Sequence, residues 1–347
     1  MSAARCTTCS GSSRNSIVSK AVVSEEGAAV IITVTLNAAL DRSLSVPIFK
    51  LGHRHRSSDV LVLAGGKGIN VARALKRLDV PVVATGLAGG RTGTRIVEEL
   101  TEEAILNDFV RIRDESRTST AVVDPTAGTY TEINEWGPKV SEDELEILLD
   151  KLRYLSRGAS TVVFAGSLPR GVDEGFYADA VREMTRLGAR VVLDAEGEPL
   201  RRGIEAEPWL VSPNQHEAEQ LVGQELEDEA DFAMALDTIA EMGARNVQIT
   251  MEAGCFSLVR EERQVRRYHA RAPQLEAVSV LGAGDVLLAR WIAAQDEGLP
   301  TEESLRLAVA AASASVLEVG AGRFDPKEAA RLTSLVEIDE LQPVAGA

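Results

Sequence analysis

The sequence predicts an α/β fold in which helices flank a central, mostly parallel β-sheet and a small second β-sheet stands apart from it. Between residues 30 and 251, short apolar runs rich in valine and isoleucine alternate with amphipathic segments. The runs are continuously apolar, which indicates strands buried on both faces. Alternation of strands with helices is typical of parallel sheets.

Six apolar runs are predicted strands. They span residues 30–36, 80–87, 160–166, 189–195, 208–213 and 246–251. Five amphipathic segments are predicted helices, at residues 67–78, 93–104, 141–156, 173–187 and 228–242. Ligands of such folds bind at the carboxyl ends of the strands. We therefore expect a site in the loops that follow these strands.

Two segments interrupt the alternation. Residues 41–62 and 117–134 have the polar faces and turn residues of short strands, and no helix follows them promptly. We expect them to form a small β-layer that acts as a lid. Residues 1–28 are rich in serine and lack hydrophobic periodicity, which predicts a disordered tail. Residues 29–335 are then the folded domain, and residues 336–347 a C-terminal tail.

The charge of the chain limits its partners. Its 347 residues include 37 lysines and arginines against 53 aspartates and glutamates, a net charge of −16. This charge disfavours nucleic acid and anionic membrane surfaces as partners. No apolar run approaches the roughly 18 residues of a membrane span. Three cysteines do not make a disulfide framework, and we expect a cytoplasmic protein with reduced thiols.

A glycine loop at residues 282–284 precedes an apolar helical run and is followed by Asp285. Glycines at a strand-to-helix junction expose backbone N–H groups that hold negative charge. An aspartate there can take a proton from a hydroxyl as that hydroxyl attacks a phosphorus atom. An anion hole with a carboxylate base suits phosphoryl transfer to an alcohol. The alternative is that Asp285 only caps the helix.

A second glycine loop lies at the start of the predicted helix 67–78. Lys67 is a cation beside the positive helix end, which suits a phosphate or a polarised sugar oxygen. Asn70 can both donate hydrogen bonds to sugar hydroxyls and accept them. The segment is not a Walker A loop, because isoleucine follows "GGKG" at residues 65–68, and the chain has no G-x-G-x-x-G run.

Together these motifs resemble the ribokinase or phosphofructokinase-B family of sugar kinases, in the branch with 1-phosphofructokinase and tagatose-6-phosphate kinase. The resemblance runs from about residue 30 to about residue 331. Its motifs follow one another along the chain as "TVTLNAALDRSLSV", "GGKGINVARAL", "SRTST", "TEIN", "GSLPRGV", "SPNQHE" and "GAGD".

The resemblance implies a Rossmann-like (ribokinase-like) domain with a β-sheet lid, Mg²⁺ and ATP as cofactors, a phosphorylated ketohexose as acceptor, and a possible homodimer through the lid. It also implies roles for twelve residues. The residues implied to bind the sugar are Asp41, Gly66, Lys67 and Asn70, and Arg117 is implied to bind its phosphate. The residues implied to bind ATP are Asn214, Glu217, Thr250, Gly282 and Gly284, and Glu217 is also implied to bind magnesium. The residues implied to act in catalysis are Gly282, Ala283, Gly284 and Asp285, with Asp285 as the base.

The leading reaction is phosphorylation of fructose 1-phosphate to fructose 1,6-bisphosphate, with tagatose 6-phosphate and fructose 6-phosphate as alternative acceptors. Four departures from the family pattern favour a different class, a weakly active or non-catalytic binding protein. They are Ser212, Glu252, Cys255 and Arg290. A buried, unpaired guanidinium would cost several kcal/mol, so we expect Arg290 to reach an acidic partner along its helix. The competing hypothesis is that it distorts the site.

Overall fold

The computed structural model of the chain describes residues 30–261 and 264–342, so the predicted tail at residues 1–28 lies outside the described residues. The described part contains fourteen strands in two sheets. They are β1 (Val30–Thr35), β2 (Ala39–Ser45), β3 (Asp59–Gly65), β4 (Val82–Gly89), β5 (Leu106–Ile112), β6 (Arg117–Asp124), β7 (Thr129–Asn134), β8 (Ala159–Ala165), β9 (Arg190–Asp194), β10 (Leu210–Val211), β11 (Val247–Met251), β12 (Gly254–Glu261), β13 (Gln264–Arg271) and β14 (Glu337–Leu341).

The larger sheet has ten strands in the order β14-β13-β12-β11-β10-β9-β8-β1-β4-β5. Neighbouring strands from β5 through to β11 are parallel. The four strands from β11 to β14 are antiparallel. The six predicted strands are confirmed as β1, β4, β8, β9, β10 and β11. The mostly parallel sheet predicted from the continuous apolar runs is therefore confirmed.

Ten α-helices occur in the described part, and five of them confirm the predicted helices. They are α1 (Lys67–Arg77), α2 (Gly90–Glu102), α3 (Glu142–Leu155), α4 (Phe176–Arg186), α5 (Gly197–Ile204), α6 (Gln215–Val222), α7 (Glu229–Glu241), α8 (Ala283–Asp296), α9 (Thr301–Ser315) and α10 (Pro326–Leu332). Helix α1 ends where Asp79 takes a positive φ of 57°, the left-handed conformation that glycine adopts more readily.

Helices pack on both faces of the large sheet. Successive side chains of a strand point to opposite faces, so Ile32 joins the apolar cluster under α3 to α7 while Ile31 joins the one under α1, α2 and α8 to α10. Leu75 of α1 is fully buried in the second cluster. Truncating such a leucine to alanine costs about 2–5 kcal/mol of stability, so the helices are firmly held around the loops they carry.

The smaller sheet has the strand order β3-β2-β6-β7 and is built from the two segments that interrupted the alternation. Its attachment places it over the carboxyl end of β1, because β2 follows β1 closely and β3 ends at Gly65, just before α1. A Cβ atom added to Gly65 would lie 1.9 Å from the Oδ2 atom of Asp41. A glycine is required there for β2 and β3 to bring Asp41 close to the start of α1.

The predicted C-terminal tail is wrong over residues 337–341. This segment is β14, an edge strand paired antiparallel with β13. Arg266 of β13 holds Glu340 through two hydrogen bonds of 2.8 and 2.6 Å. Three of the five residues of β14 are exposed acidic residues, so this short segment lacks the apolar run that indicates a buried strand. No helix in the described ranges is long and apolar enough to cross a membrane.

Candidate active site

A cleft of about 350 Å³ lies between the carboxyl ends of the parallel strands and the smaller sheet. Eleven of the twelve predicted site residues line it. They are Asp41, Gly66, Lys67, Asn70, Arg117, Asn214, Thr250, Gly282, Ala283, Gly284 and Asp285. The twelfth, Glu217, contacts Lys67 with 3.3 Å between its Oε1 atom and the lysine Nζ atom. Motifs separated by more than 200 residues in the chain therefore converge on one site.

The amino end of α8 supplies a possible anion hole. Gly282 caps the helix with a φ of 78°, and a Cβ atom added there would lie 2.7 Å from the Cβ atom of Ala321. The N–H of Ala283 donates weakly to the Val280 carbonyl over 3.4 Å. Within the described residues, the N–H groups of Gly284 and Asp285 have no backbone acceptor outside the helix. These two groups can donate to an anion in the cleft.

The space above Gly284 is open. A Cβ atom added to Gly284 would find only the Oγ1 atom of Thr250 nearby, at 3.7 Å. This separation is an ordinary van der Waals contact, unlike the clash that a side chain at Gly282 would cause. The protein thus leaves room at Gly284 for an incoming group to reach the helix backbone.

Asp285 is buried in the first turn of α8, with 6% of its surface exposed. The Asn70 side-chain amide donates a 2.8 Å hydrogen bond to its Oδ2 atom. Burial, together with repulsion from Asp194, raises the pKa of Asp285 to about 7, against the opposing attraction of Lys67. A carboxylate with a pKa near the working pH is well matched to general-base catalysis.

Arg73 fixes the orientation of Asn70. Its buried guanidinium donates to the Oδ1 atom of Asn70 over 3.2 Å and to the carbonyl of Ala321 over 3.1 Å. The same guanidinium pairs with Glu103 through bonds of 2.5 and 2.8 Å. Because the Oδ1 atom of Asn70 accepts from Arg73, its amide nitrogen must face Asp285. Sequence analysis did not single out Arg73 for this positioning role.

Lys67 lies between two carboxylates rather than free in the cleft. Its Nζ atom is 2.7 Å from the Oδ1 atom of Asp194 and 3.3 Å from the Oε1 atom of Glu217. Burial alone would lower the pKa of Lys67, but Asp194 and Glu217 raise it well above its usual range. The lysine is therefore fully charged, and its charge is balanced until a ligand competes for it.

Asn214 and Glu217 form the capping box of α6. The Asn214 side chain accepts from the Glu217 N–H, and the Oε2 atom of Glu217 accepts from the Asn214 N–H, each over 2.9 Å. This reciprocal arrangement accounts for an Asn-x-x-Glu pattern by helix capping alone. Both Glu217 oxygens thus have protein donors, one from Asn214 and one from Lys67.

The site fits magnesium that arrives with a nucleotide better than a resident ion. No group of three potential metal ligands occurs within residues 30–261 and 264–342. Magnesium commonly keeps several waters and takes one or two carboxylates plus substrate phosphates. Asp194 and Glu217, which both contact Lys67, are the residues that would hold such an ion. The direct ligation by Glu217 that the resemblance implies remains a prediction.

The smaller sheet contributes the charged side chains of Asp41 and Arg117 to the cleft. Burial raises the pKa of Asp41 on β2 to about 6, against the attraction of Arg117 and Arg73. Arg117 at the start of β6 is anchored by the Asn37 carbonyl and the Asn134 side chain, each at 3.3 Å. Its guanidinium stays within reach of a ligand.

Four polar residues that line the cleft had no role predicted from the sequence, although three of them lie in the motifs "SRTST" and "TEIN". Three belong to the smaller sheet, where the hydroxyl of Ser119 donates to Glu132 over 3.1 Å and Asn134 binds Arg117. The fourth is Asp194, at the carboxyl end of β9. Its position at the end of a predicted parallel strand was a usable signal. The three others lie in alternating polar strands, where the sequence does not tell which face meets the ligand.

The four departures from the family pattern leave the cleft intact. Glu252 is exposed in the turn between β11 and β12 and does not line the cleft. Cys255 is fully buried, and burial raises the pKa of its thiol to about 12, so it stays protonated. Ser212 lines the cleft without blocking it. The Nη1 atom of Arg290 is 3.2 Å from Glu297, so the expectation of an acidic partner along the helix is confirmed.

A doubly covered parallel sheet, a buried aspartate beside an open helix terminus and a small sheet over the cleft define an α/β phosphotransferase acting on small hydroxyl compounds. Residues 34–328 match the pfkB family carbohydrate kinase. The chain belongs to this family, so it is a kinase of the carbohydrate class, whose members take their phosphate from ATP.

Named relatives cover nearly the whole chain. A 1-phosphofructokinase of Bacillus subtilis is 35% identical over 297 residues, 85% of this chain and 96% of that protein. One of Vibrio cholerae is 31% identical over 91% of this chain and 99% of that protein. Phosphofructokinase-2 from Escherichia coli, solved with substrates and products, has a TM-score of 0.81 at 27% identity, covering 88% and 99% of the two chains. The same enzyme has also been solved in a tetrameric inhibited form.

Proposed function

We propose that the protein transfers the γ-phosphoryl group of ATP to fructose 1-phosphate and forms fructose 1,6-bisphosphate. The observation that carries the proposal is the position of Asp285. Its side chain is buried, its pKa is raised to about 7, and it belongs to the helix turn whose N–H groups at Gly284 and Asp285 have no backbone acceptor outside the helix. A carboxylate base next to an anion hole suits the attack of a hydroxyl oxygen on a phosphorus atom. The names of the Bacillus and Vibrio relatives support fructose 1-phosphate as the acceptor.

In the proposed reaction, Asp285 takes the proton of the acceptor hydroxyl while its oxygen forms a bond to the γ-phosphorus atom. The bond from that phosphorus to the bridging oxygen breaks, and ADP leaves with the electron pair. The N–H groups of Gly284 and Asp285 hold the charge on the transferred group, a contribution of roughly 3–4 kcal/mol per donor by comparison with oxyanion holes. Positioning supplies much of the rest.

The charges of the cleft explain why ATP would enter with magnesium. Five carboxylates, those of Asp41, Glu132, Asp194, Glu217 and Asp285, face two cations, those of Lys67 and Arg117. A polyphosphate without a counter-ion would be repelled. When bound, the ion neutralises phosphate charge, and Asp194 and Glu217 are the residues that would hold it. Asp41 and Asn70 would bind sugar hydroxyls, and closure of the smaller sheet would exclude water.

The test is a coupled assay of ADP release from ATP and Mg²⁺ with fructose 1-phosphate, tagatose 6-phosphate and fructose 6-phosphate in parallel. We expect the highest kcat/KM with fructose 1-phosphate. A higher value with either other sugar phosphate would reassign the acceptor within the family. Turnover no faster than that of Asp285→Asn with all three would contradict the kinase proposal and favour a binding protein.

We also propose that two copies associate through the smaller sheet. Its outer side and rim expose large apolar side chains, with Leu51 at 87%, Trp136 at 86% and Ile133 at 62% of their surface. Clusters of this kind mark interaction sites. Light scattering after gel filtration should give twice the chain mass, and Ile133→Glu should shift the protein toward monomer. A monomer at micromolar concentration would contradict the association.

A further inference from the structure

A second cavity, of about 750 Å³, continues from the cleft beyond Arg117. Lys67 and Arg117 line both spaces, so a ligand that occupies the cleft can extend into this cavity. The segment 135–137 forms one wall, and the loop 166–172 after β8 forms the other. The loop contains Arg170, to which neither the motifs nor the comparisons give a role.

Two arginines, Arg117 and Arg170, line this cavity, and each is anchored to a backbone carbonyl. The Nε atom of Arg117 donates to the Asn37 carbonyl over 3.3 Å, and that of Arg170 donates to the Gly137 carbonyl over 2.7 Å. Asn37 and Gly137 abut, because a Cβ atom added to Gly137 would lie 2.1 Å from the Asn37 Oδ1 atom. Each arginine is therefore fixed through Nε by neighbouring backbone. The terminal nitrogens of Arg170 have no ion pair among the described residues.

The lining of the cavity also includes two uncharged polar side chains, Asn37 and Ser167. Asn37 is 9% exposed, and its amide nitrogen donates to the Ser167 hydroxyl oxygen over 3.1 Å. The Ser167 proton is left free to donate to a ligand. The Oδ1 atom of Asn37 is buried without a partner among the described residues. A ligand that brings both acceptors and a hydroxyl would satisfy these groups.

Three carboxylates also line the cavity, and two have other partners. Glu135 accepts from the Thr118 N–H over 2.9 Å, and Glu174 pairs with Arg202 at 3.4 Å. Glu196, the third, lies at the start of α5. None of the three lies within ion-pair distance of Arg170. The two arginines thus remain a cationic end of an otherwise acidic site.

We propose that Arg170 is a specificity-determining residue that binds the phosphate already present on the acceptor, together with Arg117. The inference rests on the proposed function, because it extends the acceptor site of that reaction. Two forked donors match the oxygens of a dianionic phosphate monoester, and each guanidinium forms charge-assisted bonds. Arg170 then makes the enzyme distinguish sugar phosphates from free sugars.

The experiment compares wild type, Arg170→Gln and Arg170→Lys with fructose 1-phosphate and with free fructose, at saturating ATP and Mg²⁺. Arg186→Gln is the matched control, since Arg186 is exposed at the end of α4, away from the cavity. Arg170→Gln should raise KM for fructose 1-phosphate roughly 10- to 100-fold, the worth of a charge-assisted hydrogen bond. It should leave kcat and the turnover of fructose within about twofold. Arg170→Lys should recover part of the loss.

Two results would overturn the role of Arg170. If wild type phosphorylates fructose 1-phosphate and Arg170→Gln has the same KM, the proposed function stands and this inference fails. If wild type turns over no sugar phosphate, the proposed function fails, and calorimetry with fructose 1-phosphate alone decides about Arg170. A Kd raised at least tenfold by Arg170→Gln would support the phosphate site, whereas equal binding or none would overturn it.

Discussion

Replacing Asp285 by asparagine should abolish turnover and raise stability at the same time. The carboxyl has its pKa raised from 3.8 to about 7 in the fold. The folded state therefore holds the proton more tightly than the unfolded state, and this group favours folding least at high pH. Its unfavourable contribution is absent below pH 4, grows as pH rises toward 7 and is constant above. Asparagine carries no charge at any pH and can still accept from Asn70.

The size of the effect follows from the shift. About three pKa units at 1.36 kcal/mol each give a ceiling of about 4 kcal/mol at pH 8. Relaxation and water entry reduce such penalties, so we expect about 1–2 kcal/mol. A change of 1 kcal/mol moves Tm by about 2–4 °C in a chain of 150–250 residues and by less in this one. Turnover should fall by about 10²–10⁴ with the loss of the base.

Differential scanning fluorimetry at pH 5 and pH 8 measures this directly. Asp285→Asn should melt a few degrees above wild type at pH 8, with a smaller difference at pH 5. Asp296→Asn is the matched control on the same helix, because Asp296 pairs with Arg190 and accepts from Ser160; this variant should melt below wild type. A lower Tm for Asp285→Asn at pH 8 would refute the idea that the fold strains this carboxylate for catalysis.

Three further predictions concern the same helix. The value of kcat/KM should fall about tenfold per pH unit below about 7, as Asp285 of the free enzyme is protonated, and stay constant above. A pH profile of kcat/KM that is flat from 5.5 to 8 would count against Asp285 as the base. Gly284→Ala should keep or raise Tm, since alanine is favoured over glycine in a helix by about 1 kcal/mol. The added methyl group should lower ATP-dependent turnover at least about 100-fold. Unchanged kinetics would show that the transferred phosphoryl group does not bind at Gly284. Arg290→Gly should lower stability by about 1 kcal/mol and change turnover less than about twofold, because Arg290 is paired with Glu297; a large rise in turnover would instead support distortion of the site by Arg290.

The sequence predicted most of the fold because buried parallel strands leave a strong local signal. Runs such as the one at β1 are apolar on both faces, and the helices between them have clear amphipathic periods. The edge strand β14 escaped notice, because its residues are charged and its pairing depends on partners such as Arg266, some 70 residues away. Local pattern does not reveal a strand whose pairing depends on residues so distant in the sequence.

The residues of the candidate site could also be predicted only in part. Residues in glycine loops, such as Lys67 and Asp285, could be found because the backbone conformation of the loop requires glycines and so leaves a recognisable sequence motif. Arg73 could not, because its buried guanidinium orients Asn70 through a contact within the fold that has no local signature. Asp194 could be placed at the end of a predicted strand, but its ion pair with Lys67 could not be predicted. The sequence also could not predict that the charge of Lys67 is balanced, because it shows a lysine in a loop but not the ion pairs with Asp194 and Glu217.

We propose above that Asp285 activates a hydroxyl of fructose 1-phosphate for attack on the γ-phosphorus of ATP. Phosphorus NMR of the reaction mixture tests it most directly, with wild type and Asp285→Asn compared at pH 8. We predict that wild type converts fructose 1-phosphate to fructose 1,6-bisphosphate with one ADP per product, and that the variant forms at most about one-hundredth as much in the same time. Formation of ADP with inorganic phosphate and no bisphosphate, or equal product from the variant, would contradict the claim.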